Sequence, residues 1–116
     1  MRHFISMFCA LFISLTAASA FADTGGSCHF HGSKAATESV LIACADARRD
    51  ALVKNGKLHT SWSAVRHDKI EQIDGKKGKE WLVSYKNPAA PEKDKQALFM
   101  FFTAPGNFLA ANHTGR

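Results

Sequence analysis

Beyond Ala22 the chain lacks any hydrophobic run long enough to cross a membrane. It also lacks internal repeats and low-complexity tracts, which removes solenoids and disordered linkers from consideration. There is no Gly-x-Ser-x-Gly elbow and no glycine-rich phosphate loop. The acidic residues are scattered on turns and helix faces, so no pair stands ready for acid–base chemistry, and the chain is not expected to be an enzyme. No basic stripe interleaved with aromatics appears, which argues against nucleic acid as a partner. Cysteines are few and no Cys-x-x-Cys pair occurs, so the usual signature of a redox dithiol is absent.

What is present begins with the leader. Arg2 and His3 precede an apolar run from Phe4 to Ala18, and Ala20-Phe21-Ala22 offers the small-x-small pattern of a cleavage site. Residues 1–22 therefore read as a signal peptide, removed near Ala22, and the protein is expected in the periplasm or secreted. Cys9 leaves with the leader, and Cys28 and Cys44 remain. The formal net charge of +5 is mild and falls further when Arg2 is removed. Such a balance fits solubility or weak attraction to anionic surfaces.

Residues 23–34 form a Gly- and Ser-bearing lead-in without periodicity, expected to be ordered only near Cys28. Residues 35–116 read as a single domain. The spacing predicts a helix over Ala35–Asn55, capped by Ser33 or Thr37 and ended at Gly56. Val40, Leu41, Cys44, Ala47, Ala51 and Leu52 form its apolar stripe. Ser61–Val65 reads as a short helical turn, with Trp62 and Val65 closing the core. The period then changes from 3.6 to 2. Strands are predicted over His67–Asp74, Lys79–Lys86, Gln96–Thr103 and Phe108–His113. Gly75-Lys76-Lys77-Gly78 and Ala104-Pro105-Gly106-Asn107 supply the hairpin turns. In the second strand Trp81, Val83 and Tyr85 share one face and Glu80, Leu82, Ser84 and Lys86 the other. The expected architecture is α+β, one N-terminal helix packed on a four-stranded antiparallel meander.

Cys28-His29-Phe30-His31 is the chemically loaded segment. In an oxidising compartment two cysteines favour a Cys28–Cys44 disulfide, worth roughly 3 kcal/mol for the loop it encloses. The competing reading is a zinc or copper site made of Cys28, His29, His31 and Cys44. The two compete, since a disulfide sulfur is a poor ligand compared with a thiolate, and they could alternate only at a redox-active site. Asp23-Thr24-Gly25 carries no third-position His, so the amino-terminal copper pattern is missing. His59 and His67 lie in polar connecting stretches, where solvated histidines are the expected outcome. Lys69, Lys76, Lys77 and Lys79 gather around the first hairpin, where they shield a sheet edge or meet an anionic partner. Trp81, Tyr85 and Phe101 belong to an aromatic set that fills the core or, in surplus, forms a binding surface.

The order helix, hairpin, hairpin, with Glu80-Trp81-Leu82-Val83-Ser84-Tyr85 in the second strand, resembles PepSY-like α+β domains of exported bacterial proteins. A closer likeness rests on Cys28-His29-Phe30-His31-Gly32-Ser33, on Lys69-Ile70-Glu71-Gln72 with Gly75-Lys76-Lys77-Gly78-Lys79-Glu80-Trp81, and on Phe101-Phe102-Thr103-x-Pro105-Gly106-Asn107-Phe108 with Ala110-Ala111-Asn112. These segments resemble a family of short, uncharacterised proteobacterial exported proteins. The resemblance implies compartment and fold and no activity. Where it implies a bulky apolar residue, this chain has His113. The sequence thus predicts a small exported binding or interaction module, its partner an envelope protein or component. The alternative is a periplasmic copper- or zinc-binding protein using the Cys28–His31 cluster with Cys44.

Overall fold

A computed structural model describes residues 28–116; the expected signal peptide, its expected cleavage site and most of the expected lead-in lie outside the described residues. The elements are α1 (Glu38–Lys54), β1 (His67–Gly75), β2 (Gly78–Lys86), β3 (Ala97–Thr103) and β4 (Phe108–Asn112). Single 3-10 turns occupy Thr60–Trp62 and Lys93–Lys95. The strands form one antiparallel sheet in the order β1-β2-β3-β4, with the helix on one face, so the fold is α+β as the patterning predicts. Among the described residues no helix is long and apolar enough to cross a membrane.

Helix α1 starts three residues later than its periodicity suggests. Thr37 is the cap, its hydroxyl accepting from the Val40 amide at 3.4 Å, and Ser33 lies outside the helix. The chain leaves α1 through Gly56, whose φ of +74° suits a residue without Cβ.

The helix buries Leu41, Cys44, Ala45 and Arg49, and Leu52 packs beside them. The predicted stripe is corrected in part: Val40 is 37% exposed and Ala51 is exposed, while Ala45 is fully buried. Ala45 faces the sheet because its small side chain permits close approach of the helix. Arg49 joins the buried face because its charge is satisfied there. Its guanidinium donates to Asp46, to Asp50 and to the Val65 carbonyl. Tyr85 from β2 completes this node, its hydroxyl donating to Asp46 Oδ1 at 2.7 Å. Burial first, then that hydrogen bond, push the Tyr85 phenol well above its ordinary range.

Register assigns each strand residue to a face. Ile70, Val83, Met100 and Ala111 form one row across the sheet toward the helix, with Trp81, Tyr85, Leu98, Phe102 and Phe108 alongside. Trp62 closes this core at 1% exposure, with Val65 packed against it. The opposite face carries Leu82, Ser84, Phe99 and Phe101. β3 is apolar on both sides: the helix covers one, and the chain end covers Phe99 on the other. The chain end hooks back over the outer face, held by Asn112. Its Oδ1 accepts from Gly115 N at 2.8 Å and its Nδ2 donates to the Arg116 carbonyl at 2.7 Å. Gly115 stands against the Phe99 ring, where an added Cβ would already be in contact.

Candidate functional site

Two regions carry the predicted site residues: the extended strap around Cys28–His31 and the outer face of the sheet.

The strap is fastened at three points. Cys28 is bonded to Cys44 on α1, with the Cα atoms 5.8 Å apart. Two residues on, Phe30 N donates to Asn107 Oδ1 at 2.7 Å, and Asn107 Nδ2 donates back to Phe30 O at 2.8 Å. Farther along, Ala36 N donates to the Ala104 carbonyl at 2.9 Å. The β3–β4 turn is thus a clamp for the strap. Its glycine is required twice over: Gly106 has φ +107°, and a Cβ there would stand 3.2 Å from both Ala36 Cβ and the Phe30 ring. Thr103 Oγ1 accepts from Asn107 N at 3.0 Å and aims the Asn107 side chain. The Phe-Thr-x-Pro-Gly-Asn-Phe string and the Cys-His-Phe-His string are therefore two halves of one device. In the sequence Asn107 reads only as a turn residue. The bond spans 77 positions, so no local pattern could reveal it.

Alternation along the strap turns Cys28 and Phe30 inward and leaves His29 and His31 exposed. The two imidazoles are neighbours, with ring centroids 4.7 Å apart and planes at 86°. The four residues of the predicted metal set are not brought together as ligands, because both sulfurs are consumed by the disulfide. Among the described residues no group of three or more His, Cys, Asp or Glu side chains could hold a metal ion.

The aromatic trio is divided between faces. Trp81 and Tyr85 alternate with Leu82 and look toward the helix, whereas Phe101 pairs with Leu82 on the opposite side. Tyr85 is fully buried, and Trp81 is half-buried with its indole N–H donating to the Ala104 carbonyl at 3.1 Å. The expectation that Trp81, Tyr85 and Phe101 share a binding surface is corrected here: period-2 alternation gives the first two to the core, and only Phe101 lies on the outer face.

That outer face holds a groove of about 670 Å³. Phe101, Ala110, Thr103, Pro105 and Leu109 line it, and the β1–β2 turn closes one end. Leu109 is there because of a bulge. Phe101 pairs with Ala110 and Phe102 with Phe108, so Leu109 has no partner, and it stands 49% exposed. The rim carries Lys76, Lys77, Lys79 and Arg116 against Asp74 and Glu80. Lys79 is taken up by Asp74 at 2.6 Å. Lys76, Lys77 and Arg116 make no ion pair among the described residues.

His59 and His113 serve structure. His59 caps the 3-10 turn by accepting from Ser61 N, and His113 Nδ1 donates to the Ala97 carbonyl at 2.6 Å. Comparison with curated proteins and with solved structures finds no match. One family model, described as a family of unknown function, matches residues 1–116, and the chain belongs to that family, DUF6488.

Proposed function

We propose that the protein is a small exported binding module, not an enzyme, and that its outer-face groove takes an acidic, apolar peptide segment of another envelope protein. The observation that carries this reading is the groove itself. It has an apolar floor of Phe101, Leu109 and Ala110 and a rim in which cations outnumber anions. A volume of about 670 Å³ lies in the range of ligand sites. Leu109 is a large side chain held at the surface by a bulge, a cost that a partner covering it would offset. Lys76, Lys77 and Arg116 supply the charge that selects a carboxylate-bearing segment. Export, with residence in the periplasm or outside the cell, is supported by the leader pattern and by the Cys28–Cys44 disulfide. The helix-then-meander order supports a PepSY-like relation and, with the matched segments, a proteobacterial source.

The test uses a synthetic peptide alternating Asp or Glu with Leu or Phe, titrated into isotope-labelled protein and followed by amide chemical shifts. Shifts should cluster at Lys76–Lys79, Phe101 and Leu109–Ala110, and should weaken as salt rises. Leu109→Asp should cost roughly 1.5–3 kcal/mol of apolar burial, about tenfold or more in affinity, with the fold unchanged. Shifts that map elsewhere would overturn the reading. So would a preference for phosphatidylglycerol vesicles over the peptide, which would make the partner a lipid surface.

A further inference from the structure

We propose that His29 and His31 form a surface copper site, binding one Cu²⁺ through two imidazole nitrogens. This site is separate from the outer-face groove and does not depend on it.

The argument starts from backbone geometry. In an extended segment residues i and i+2 project to the same side, so His29 and His31 stand together while Phe30 points inward. Their ring centroids are 4.7 Å apart, close enough for one nitrogen of each to reach a shared ion after small side-chain rotations.

Pre-organisation is the second strand of the argument. A two-histidine chelate on a free chain is weak because binding must order the backbone between the ligands. Here that backbone is already fixed. The Phe30 peptide groups are held on both sides by Asn107, at 2.7 and 2.8 Å. The chain is anchored before them by the Cys28–Cys44 bond. Gly32, with φ +87°, then turns the chain away directly after His31. Only the imidazole torsions remain to be ordered.

The donor set selects the metal. Imidazole suits copper, zinc and nickel, and among divalent ions the affinity order peaks at Cu²⁺. The disulfide removes the thiolates that would have favoured Cu⁺ or a closed zinc site. No third described His, Cys, Asp or Glu joins the pair. Its outer coordination positions are therefore open to water or to a donor from another molecule, as an exchangeable ion requires. The inference is a site that picks up and hands on Cu²⁺ rather than one that builds the fold.

The experiment is a Cu²⁺ titration of the oxidised, full-length exported protein in excess glycine, which strips copper from chance surface contacts. Stoichiometry is read by native mass spectrometry and ligand identity by electron paramagnetic resonance. One copper per chain with a two-imidazole nitrogen pattern is expected. Loss of an outer-shell partner already costs about 10–100-fold in metal affinity, so His29→Ala and His31→Ala should each cost at least about tenfold. His67→Ala, which is off the strap, should cost nothing. Both strap histidines are exposed, so circular dichroism of the variants should match the parent. Copper removed entirely by glycine would overturn the proposal, as would a His29→Ala/His31→Ala double variant binding with unchanged affinity.

Discussion

Reducing the Cys28–Cys44 bond should leave the native strap in place and lower stability by an amount set by the unfolded chain. The bond joins positions 16 apart, and closing a loop of that size restricts the unfolded ensemble by roughly 3 kcal/mol. The native state loses little when the bond opens. Asn107 still holds Phe30 through two hydrogen bonds, and Ala36 still donates to Ala104. For a domain of this size each kcal/mol is worth about 4–8 °C, so the midpoint should fall by roughly 12–24 °C. The assay is thermal unfolding by circular dichroism, with and without reductant. Cys44 is 6% exposed, so replacing it also disturbs packing. The comparison therefore sets reduced parent protein beside a Cys28→Ala/Cys44→Ala variant. The first isolates the cross-link and the second adds the packing loss. Equal midpoints for oxidised and reduced parent protein would refute the reasoning, since the bond would then contribute nothing.

Tyr85→Phe removes the hydroxyl that donates to Asp46 and should cost about 1 kcal/mol in urea unfolding, with an unchanged slope. Tyr85 is the only tyrosine, so its titration at 295 nm should stay flat through the ordinary phenol range near pH 10. Because the folded-state pKa is raised, this group's stability contribution is intact below pH 10. It is lost as pH climbs further, when the unfolded chain gives up the proton first; an ordinary titration in the native protein would refute the buried node. Gly106→Ala meets both a positive φ and contacts at 3.2 Å, so it should destabilise by about 1–3 kcal/mol and speed amide exchange at Phe30, whereas an unchanged exchange rate would detach that glycine from the strap.

Much of the architecture was legible because its signals are local. Alternation in Trp81-Leu82-Val83-Ser84-Tyr85 separates two faces wherever the strand is placed. The Gly75–Gly78 and Ala104–Asn107 clusters mark turns by backbone chemistry alone, and the four strands they separate pair in chain order. Helix α1 was legible in extent but less so in orientation. Its stripe has alanines on several sides, and hydrophobicity does not say which alanine meets the sheet. A lone arginine belongs in water, and nothing local in the sequence marks Arg49 for burial. It is 7% exposed because Asp46, Asp50 and the Val65 carbonyl surround it.

The candidate sites divide in the same way. Parity favours the Cys28–Cys44 disulfide that the structure contains, and period-2 alternation accounts for the outward display of His29 and His31. Both rest on covalent chemistry and backbone period, although the sequence alone left a metal site at the same residues open. The tertiary structure alone decided that Asn107 clamps Phe30, that a bulge lifts Leu109 onto the outer face, and that Tyr85 belongs to the core while Phe101 lines the groove. Each of those depends on which distant segments share a surface, and that is settled only when the helix, the sheet and the strap compete for the same buried space.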